Sequence, residues 1–208
     1  MSAYFLPFTP NGKSTELLAI RVKDHLDLGW AVAVDPMDVL SRVPARLVEP
    51  RELWEGCPTT ARNLFVNYAD QWSGVGLGES PVDGASLILL NPAHAMTRRR
   101  ATLMEEVVHI VLGHPKSSLV IDSRGGIGHR SHDARVEDEA YTVGAACLLP
   151  YRDLFSAIRD VHESAGSIAA RFGVSVPYVE FRIKRAGLSN VYRKHCSVSE
   201  HRYPGRVR

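Results

Sequence analysis

The sequence predicts an α+β fold: a small sheet with packed helices, followed by a helical unit toward the C-terminus. Three observations carry this. Apolar residues recur at helical spacing over residues 14–28, around 102–114 and over 133–149. Short apolar runs at 45–48 and 86–90 have the length of strands. Between those runs, Gly74, Gly76, Gly78, Pro81 and Gly84 break any long element.

Composition narrows the class further. A chain of 208 residues can bury roughly 70% of its unfolded surface without covalent staples. Its cysteines, Cys57, Cys147 and Cys196, are odd in number and widely spaced, which suits unpaired thiols in a reducing compartment. The stretch Met1 to Pro7 lacks a basic start and a long apolar run. No segment approaches the ~20 apolar residues of a membrane span. A cytoplasmic protein with no membrane partner is expected. The net charge of +2 is unevenly placed: residues 162–208 hold nine Lys/Arg against three Asp/Glu, so that segment is +6 and the rest −4.

Taken in order, Ser14 to Leu28 reads as an amphipathic helix buried through Leu17, Leu18, Val22, His25 and Leu26, with Gly29 as its stop. Asp35-Pro36 opens a short helix through Met37, Val39 and Leu40, and Ala45 to Val48 is a short strand. Trp72-Ser73-Gly74 is expected to end a strand, and Ser86 to Leu90 to form a buried one leading through Asn91-Pro92 to the central helix. Residues 121–132 read as a glycine-rich loop with His129 and His132, either a lid over a site or a plain surface connection. Asp133 is the N-cap of a helix that runs to Leu149 and stops at Pro150.

The central helix, Thr102 to His114, puts ionisable groups inside an apolar element. Leu103, Val107, Val108, Ile110, Val111 and Leu112 wrap most of its circumference. Thr102, Glu105, Glu106 and His109 follow i, i+3, i+4, i+7 and share one face, with Cβ atoms roughly 5–6 Å apart. Two carboxylates in a poorly solvated place repel, and one must take up a proton unless a cation is near. A divalent metal resolves this: Glu105 and His109 at i, i+4 can ligate one ion, and Glu106 can serve as general base toward water. The pattern is H-E-x-x-H with Glu in place of the first His. A Glu105–His109 ion pair on a solvated face is the alternative.

A catalytic metal normally has three protein ligands. Glu137 lies on the same face of the 133–149 helix as Ala140, Tyr141 and Gly144, small enough in part for a close approach to the central helix. Glu139 points about 160° away from Glu137 at 100° per residue, toward solvent. Glu137 as a plain surface acid is the alternative.

These stretches together resemble the ImmA/IrrE family of metallo-endopeptidases, zincin-like proteases of bacterial cytoplasm and mobile elements. Leu87-Ile88-Leu89-Leu90-Asn91-Pro92 and Arg99-Arg100-Ala101-Thr102-Leu103 are similar to the family's strand and the lead into its metal helix. Glu137-Asp138-Glu139-Ala140, followed by Gly144-Ala145-Ala146-Cys147-Leu148-Leu149-Pro150, resembles its third-ligand helix and independently selects Glu137. The chain departs from the family at Glu105, where the first metal histidine stands, and at Val108, where a glycine precedes the second. The resemblance implies a zincin-like core, Zn²⁺ held by Glu105, His109 and Glu137, and Glu106 as the base. The oxygen-rich ligand set also admits Mn²⁺ or Fe²⁺, and makes a bound water less acidic than at His-rich zinc. Tyr141, His129 and His132 are candidates for a transition-state or lid role. The implied substrate is a helix-turn-helix transcriptional repressor, cut in a stress or mobile-element response. The alternative is a catalytically impaired relative that binds a repressor or DNA.

Residues 168–179 have helix-turn-helix spacing, with Gly173 in the turn and Ser175 capping the second helix. That helix is expected to bury Val176, Val179 and Ile183 and to present Tyr178, Phe181, Arg182 and Arg185 to a protein substrate or, as the second option, to DNA. The chain then divides into a core at 1–160, a helical unit at 161–188 and a poorly ordered basic tail at 189–208.

Overall fold

In the computed structural model the described residues are 5–29, 33–49, 67, 72–115, 118–121, 127–131 and 133–196. The fold is α+β, and its helices build most of the core.

Helix α1, Pro10–His25, starts earlier than its apolar spacing suggests, because the Thr9 side chain accepts from the Gly12 N–H and Pro10 suits the first turn. It ends at Leu26 and Asp27, so Gly29 is not its stop. The buried face also differs from the expected one. Glu16, Ala19, Ile20, Val22, Lys23 and Leu26 are buried, while Leu17 and Leu18 are half-buried and His25 is exposed. Two buried charges hid the stripe from a reading based on apolar residues.

Helix α2, Pro36–Leu40, is capped by Asp35 as its sequence predicts. The Asp35 carboxylate also takes an N–H from Arg100 at 2.5 Å. Burial alone would raise this carboxyl, but the bonds from Arg100 and from the Met37 N–H outweigh it and hold the pKa below the usual value.

Strand β1, Ala45–Leu47, is the outer strand of a three-stranded sheet. Strand β2, Gly74–Glu79, forms the other edge and β3, Ser86–Leu90, the centre. β1 runs parallel to β3, pairing Ala45 with Ser86, and β2 runs antiparallel to it, pairing Gly74 with Leu90 and Gly76 with Ile88. Trp72-Ser73-Gly74 therefore opens a strand instead of ending one. Its backbone is tied to the lead of the next helix, since Asn91 Nδ2 donates to the Trp72 carbonyl at 2.8 Å and Asn91 N to the Ser73 carbonyl at 2.9 Å.

Helix α3, Met96–Val111, carries the polar stripe. Strands β4, Ser118–Ile121, and β5, Ile127–Ser131, follow as an antiparallel hairpin. The glycine-rich stretch read as a loop is thus partly sheet: ladder pairing can hold glycine, a choice its composition does not reveal. His129 lies in β5; His132 and Cys57 lie outside the described residues.

Helix α4, Ala134–Leu148, is capped by Asp133 and packs along α3. The helices approach closely at Gly144, where a Cβ would stand in van der Waals contact, 3.5 Å from the Glu105 nitrogen and from Met104. Met104, Val107 and Val108 on α3 are fully buried against this layer, as are Ala140 and Ala145 on α4. Each large side chain so buried contributes about 1.5–3 kcal/mol. Met104→Ala is expected to cost about 2–5 kcal/mol, read from the midpoint of denaturant unfolding.

Helices α5, Tyr151–Arg159, α6, Ala165–Phe172, α7, Val176–Arg185, and α8, Ser189–His195, complete the chain's described part. Gly173 closes α6 in a left-handed conformation and Ser175 caps α7, the predicted helix-turn-helix arrangement. The exposed face of α7 differs from expectation. Tyr178 and Arg182 are 4% and 1% exposed, whereas Val176 is 40% exposed. Arg182 is drawn inward because Glu16 of α1 pairs with it and the Leu149 carbonyl accepts from its Nε at 3.0 Å. Phe181 is half-buried, and only Arg185 of the four is exposed, paired with Asp138 of α4. Residues 189–195, expected to be disordered, form α8, anchored by buried Leu188 and Cys196 and by the Tyr192 hydroxyl accepting from Ala165 N at 2.9 Å. One cluster of buried apolar residues runs from Ala19 to Cys196.

Candidate metal centre

Helix α3 and the first turn of α4 bring Glu105, His109 and Glu137 together. Each offers one ligand atom, and these atoms all lie within 4.8 Å of one another. His109 Nε2 stands 3.7 Å from Glu137 Oε2, with the two side chains 18% and 27% exposed. Ligands of a tetrahedral ion at ~2.1 Å stand about 3.4 Å apart, so small side-chain rotations would bring the three to one ion. The donor set, one imidazole and two carboxylates, is one that divalent zinc, manganese or iron accepts. Glu137 also lies near the N-terminus of α4, where the helix dipole favours an anion.

Glu106, adjacent in sequence, turns into a neighbouring cleft. Its walls include Gly76, Gly78 and Glu79 of β2, Leu87 and Ile88 of β3, and Glu106, His109, His114 and Glu137, around a volume of about 250 Å³. Strand β2 passes close over Glu106 because its residues there lack side chains. A Cβ on Gly74 would lie 3.3 Å from Glu106 Oε1 and 2.4 Å from Thr102 Cγ2. Gly74→Ala is therefore expected to cost about 1–3 kcal/mol through overpacking, and Thr102→Ser, which removes that methyl, to restore most of it. Thermal unfolding of the two variants and their combination checks this.

Tyr141 packs edge-on against Tyr178 and Phe181, with centroids 5.5 and 4.9 Å away. Burial, and after it the Glu105 carboxylate, push its phenol above the usual range, so it stays a hydroxyl at neutral pH. Two further side chains join the site that composition alone did not single out. His114, half-buried just beyond α3, places Nδ1 3.1 Å from His109 Nδ1, and its Nε2 lies 3.1 Å from Glu139 Oε2. Glu139, expected to face only solvent, is half-exposed but engaged. The signal was Leu112-Gly113-His114: Gly113 at φ +65° lets the chain turn back, so His114 N–H donates to the His109 carbonyl at 2.9 Å.

Residues 62–184 match the peptidase M78 family, described as the IrrE N-terminal-like domain. The chain belongs to that family. Peptidase M78 proteins are metallopeptidases, which accords with a divalent-metal site. No curated protein matches this M78 chain. Among solved structures, a Mycobacterium tuberculosis transcriptional regulator is similar at 12% identity and a TM-score of 0.47, over 82% of this chain and 46% of that one. The chain thus spans about half of that regulator's length. Among the described residues of this M78 protein, no helix is long and apolar enough to cross a membrane.

Proposed function

We propose that this chain is a divalent-metal-dependent endopeptidase in which Glu105, His109 and Glu137 hold the ion and Glu106 is the general base. The observation that carries the reading is the convergence of those three ligand atoms beside a cleft that Glu106 lines. Zn²⁺ is the first choice of ion, with Mn²⁺ or Fe²⁺ next because two of three ligands are oxygens. When bound, it would supply Lewis acidity, polarising a peptide carbonyl and making water easier to deprotonate.

The protein's own groups do the rest. Glu106 takes a proton from water and passes it to the leaving amine. The cleft bounded by β2 and by Glu106, His109 and Glu137 is the space open to a peptide beside that carboxylate. Tyr141, a neutral phenol beside Glu105, is a donor for an oxyanion. Glu105 in place of histidine leaves a divalent ion formally neutral, so water in the site stays less acidic than with two histidines and the optimum moves to higher pH.

The substrate that best fits the ImmA/IrrE resemblance is a helix-turn-helix transcriptional repressor, cut in the cytoplasm during a stress or mobile-element response. Of the four α7 residues expected to face a partner, Arg185, with half-buried Phe181 beside it, remains to meet such a protein, and less favourably DNA. The Glu105 substitution itself favours a second reading, an impaired enzyme that only binds its regulator. Exposure of a proteome-derived peptide library to the zinc-loaded protein, read by mass spectrometry, separates them. Cleavages lost with chelator support the enzyme; stoichiometric zinc with no cleavage supports the binding protein.

A further inference from the structure

Behind His109 lies a chain of polar contacts that reaches the surface, and its hydrogen-bonding logic has a single direction when both rings are neutral. A carboxylate only accepts. The 3.1 Å contact between His114 Nε2 and Glu139 Oε2 therefore places a proton on His114 Nε2. A neutral imidazole has one N–H, so His114 Nδ1 is an acceptor. The atom facing it at 3.1 Å is His109 Nδ1, which must donate. His109 has then used its N–H, and its Nε2 presents a lone pair toward Glu137 Oε2, 3.7 Å away.

We propose that His114 and Glu139 are positioning residues that lock His109 in the Nδ1–H tautomer, aiming a metal-ready Nε2 at Glu105 and Glu137. This rests on the metal-site reading above and adds residues to it. The arrangement is built by the backbone as well as by side chains. Gly113 adopts φ +65°, its N–H donates to the Ile110 carbonyl at 3.1 Å, and His114 N–H donates to the His109 carbonyl at 2.9 Å. Those two bonds fold His114 back under the very residue whose ring it contacts. The rings meet edge-to-face at 76°, so an N–H on one can lie in line with a nitrogen of the other. The negative charge of Glu139, transmitted through His114, also makes His109 a better donor, and outer partners of this kind are typically worth about 10–100-fold in metal affinity.

The test uses the full-length protein and Zn²⁺ alone, with affinity measured by competition against a chromophoric chelator. His114→Leu is expected to weaken Zn²⁺ binding about 10–100-fold. His114→Asn is expected to recover most of it, because Asn Oδ1 stands where His Nδ1 does and can accept from His109 Nδ1–H. Glu139→Ala, at a half-exposed position where folding is not at stake, is expected to fall between them. In nitrogen-15 spectra of the metal-free protein at mildly alkaline pH, His109 should be protonated at Nδ1, and lose that preference in His114→Leu.

If the wild type binds no Zn²⁺, the metal-site reading fails and this proposal with it. If the wild type binds and all three variants bind equally, the proposal alone is overturned. Loss in His114→Asn equal to that in His114→Leu would mean that His114 only packs against His109, which also overturns it.

Discussion

Replacing Glu106 with glutamine is expected to lower peptide hydrolysis about 10²–10⁴-fold while the protein keeps its ion. Glu106 lines the cleft beside the three-ligand cluster but is not one of its members, so the amide leaves the ligand set intact and removes only the group that takes up the proton. The substitution is isosteric, so it fits under the Gly74 and Gly76 backbone that lies close over the carboxylate. Turnover of a cleavable peptide and metal content, measured on the same preparation, check both halves. Undiminished turnover would assign the base to another residue.

Glu16→Ala is expected to destabilise the fold by about 3–5 kcal/mol, a large share of the stability of a domain this size. The Glu16 and Arg182 side chains are 5% and 1% exposed and pair directly. The Glu16 carboxylate also accepts from the Tyr151 N–H at 2.8 Å. Alanine leaves the Arg182 guanidinium buried without its counter-charge, and it frees the Tyr151 amide. Removing both charges, Glu16→Leu with Arg182→Met, should recover the part of the loss due to the unpaired charge, because a buried pair is often no better than apolar side chains of similar volume, but not the bond to the Tyr151 N–H. Denaturant unfolding of the two single variants and the double one tests this, and a loss under about 1 kcal/mol in Glu16→Ala would show the pair to be solvated.

What the sequence made legible follows from how locally each feature is determined. The polar stripe of α3 is set by spacing within four residues, and the cap of α4 by Asp133 itself, so both could be read before any tertiary contact. The same holds for β3 and for the Gly173–Ser175 turn. The face of α1 was misread because Glu16 and Lys23 are buried charges, and Glu16 has its partner 166 residues away. Arg182 was placed outside for the same reason, since a long polar side chain is exposed by default until a distant partner is known, whereas Tyr178 is buried by its ring packing against Tyr141 of α4. Glu139 was assigned to solvent from its helical angle, correctly as to direction, but the angle says nothing of His114 returning from beyond α3. That return depends on a positive φ at Gly113, and the Leu-Gly-His triplet after a helix was the available clue.

The central claim is that Glu105, His109 and Glu137 hold one divalent ion despite the missing histidine. Elemental analysis of the purified protein, after reconstitution with Zn²⁺ and removal of excess, tests it most directly when run beside Glu105→Ala, His109→Ala and Glu137→Ala. The account predicts one ion per wild-type chain and loss of that ion in each variant. A wild type without stoichiometric divalent metal, or variants that retain it, would contradict the account.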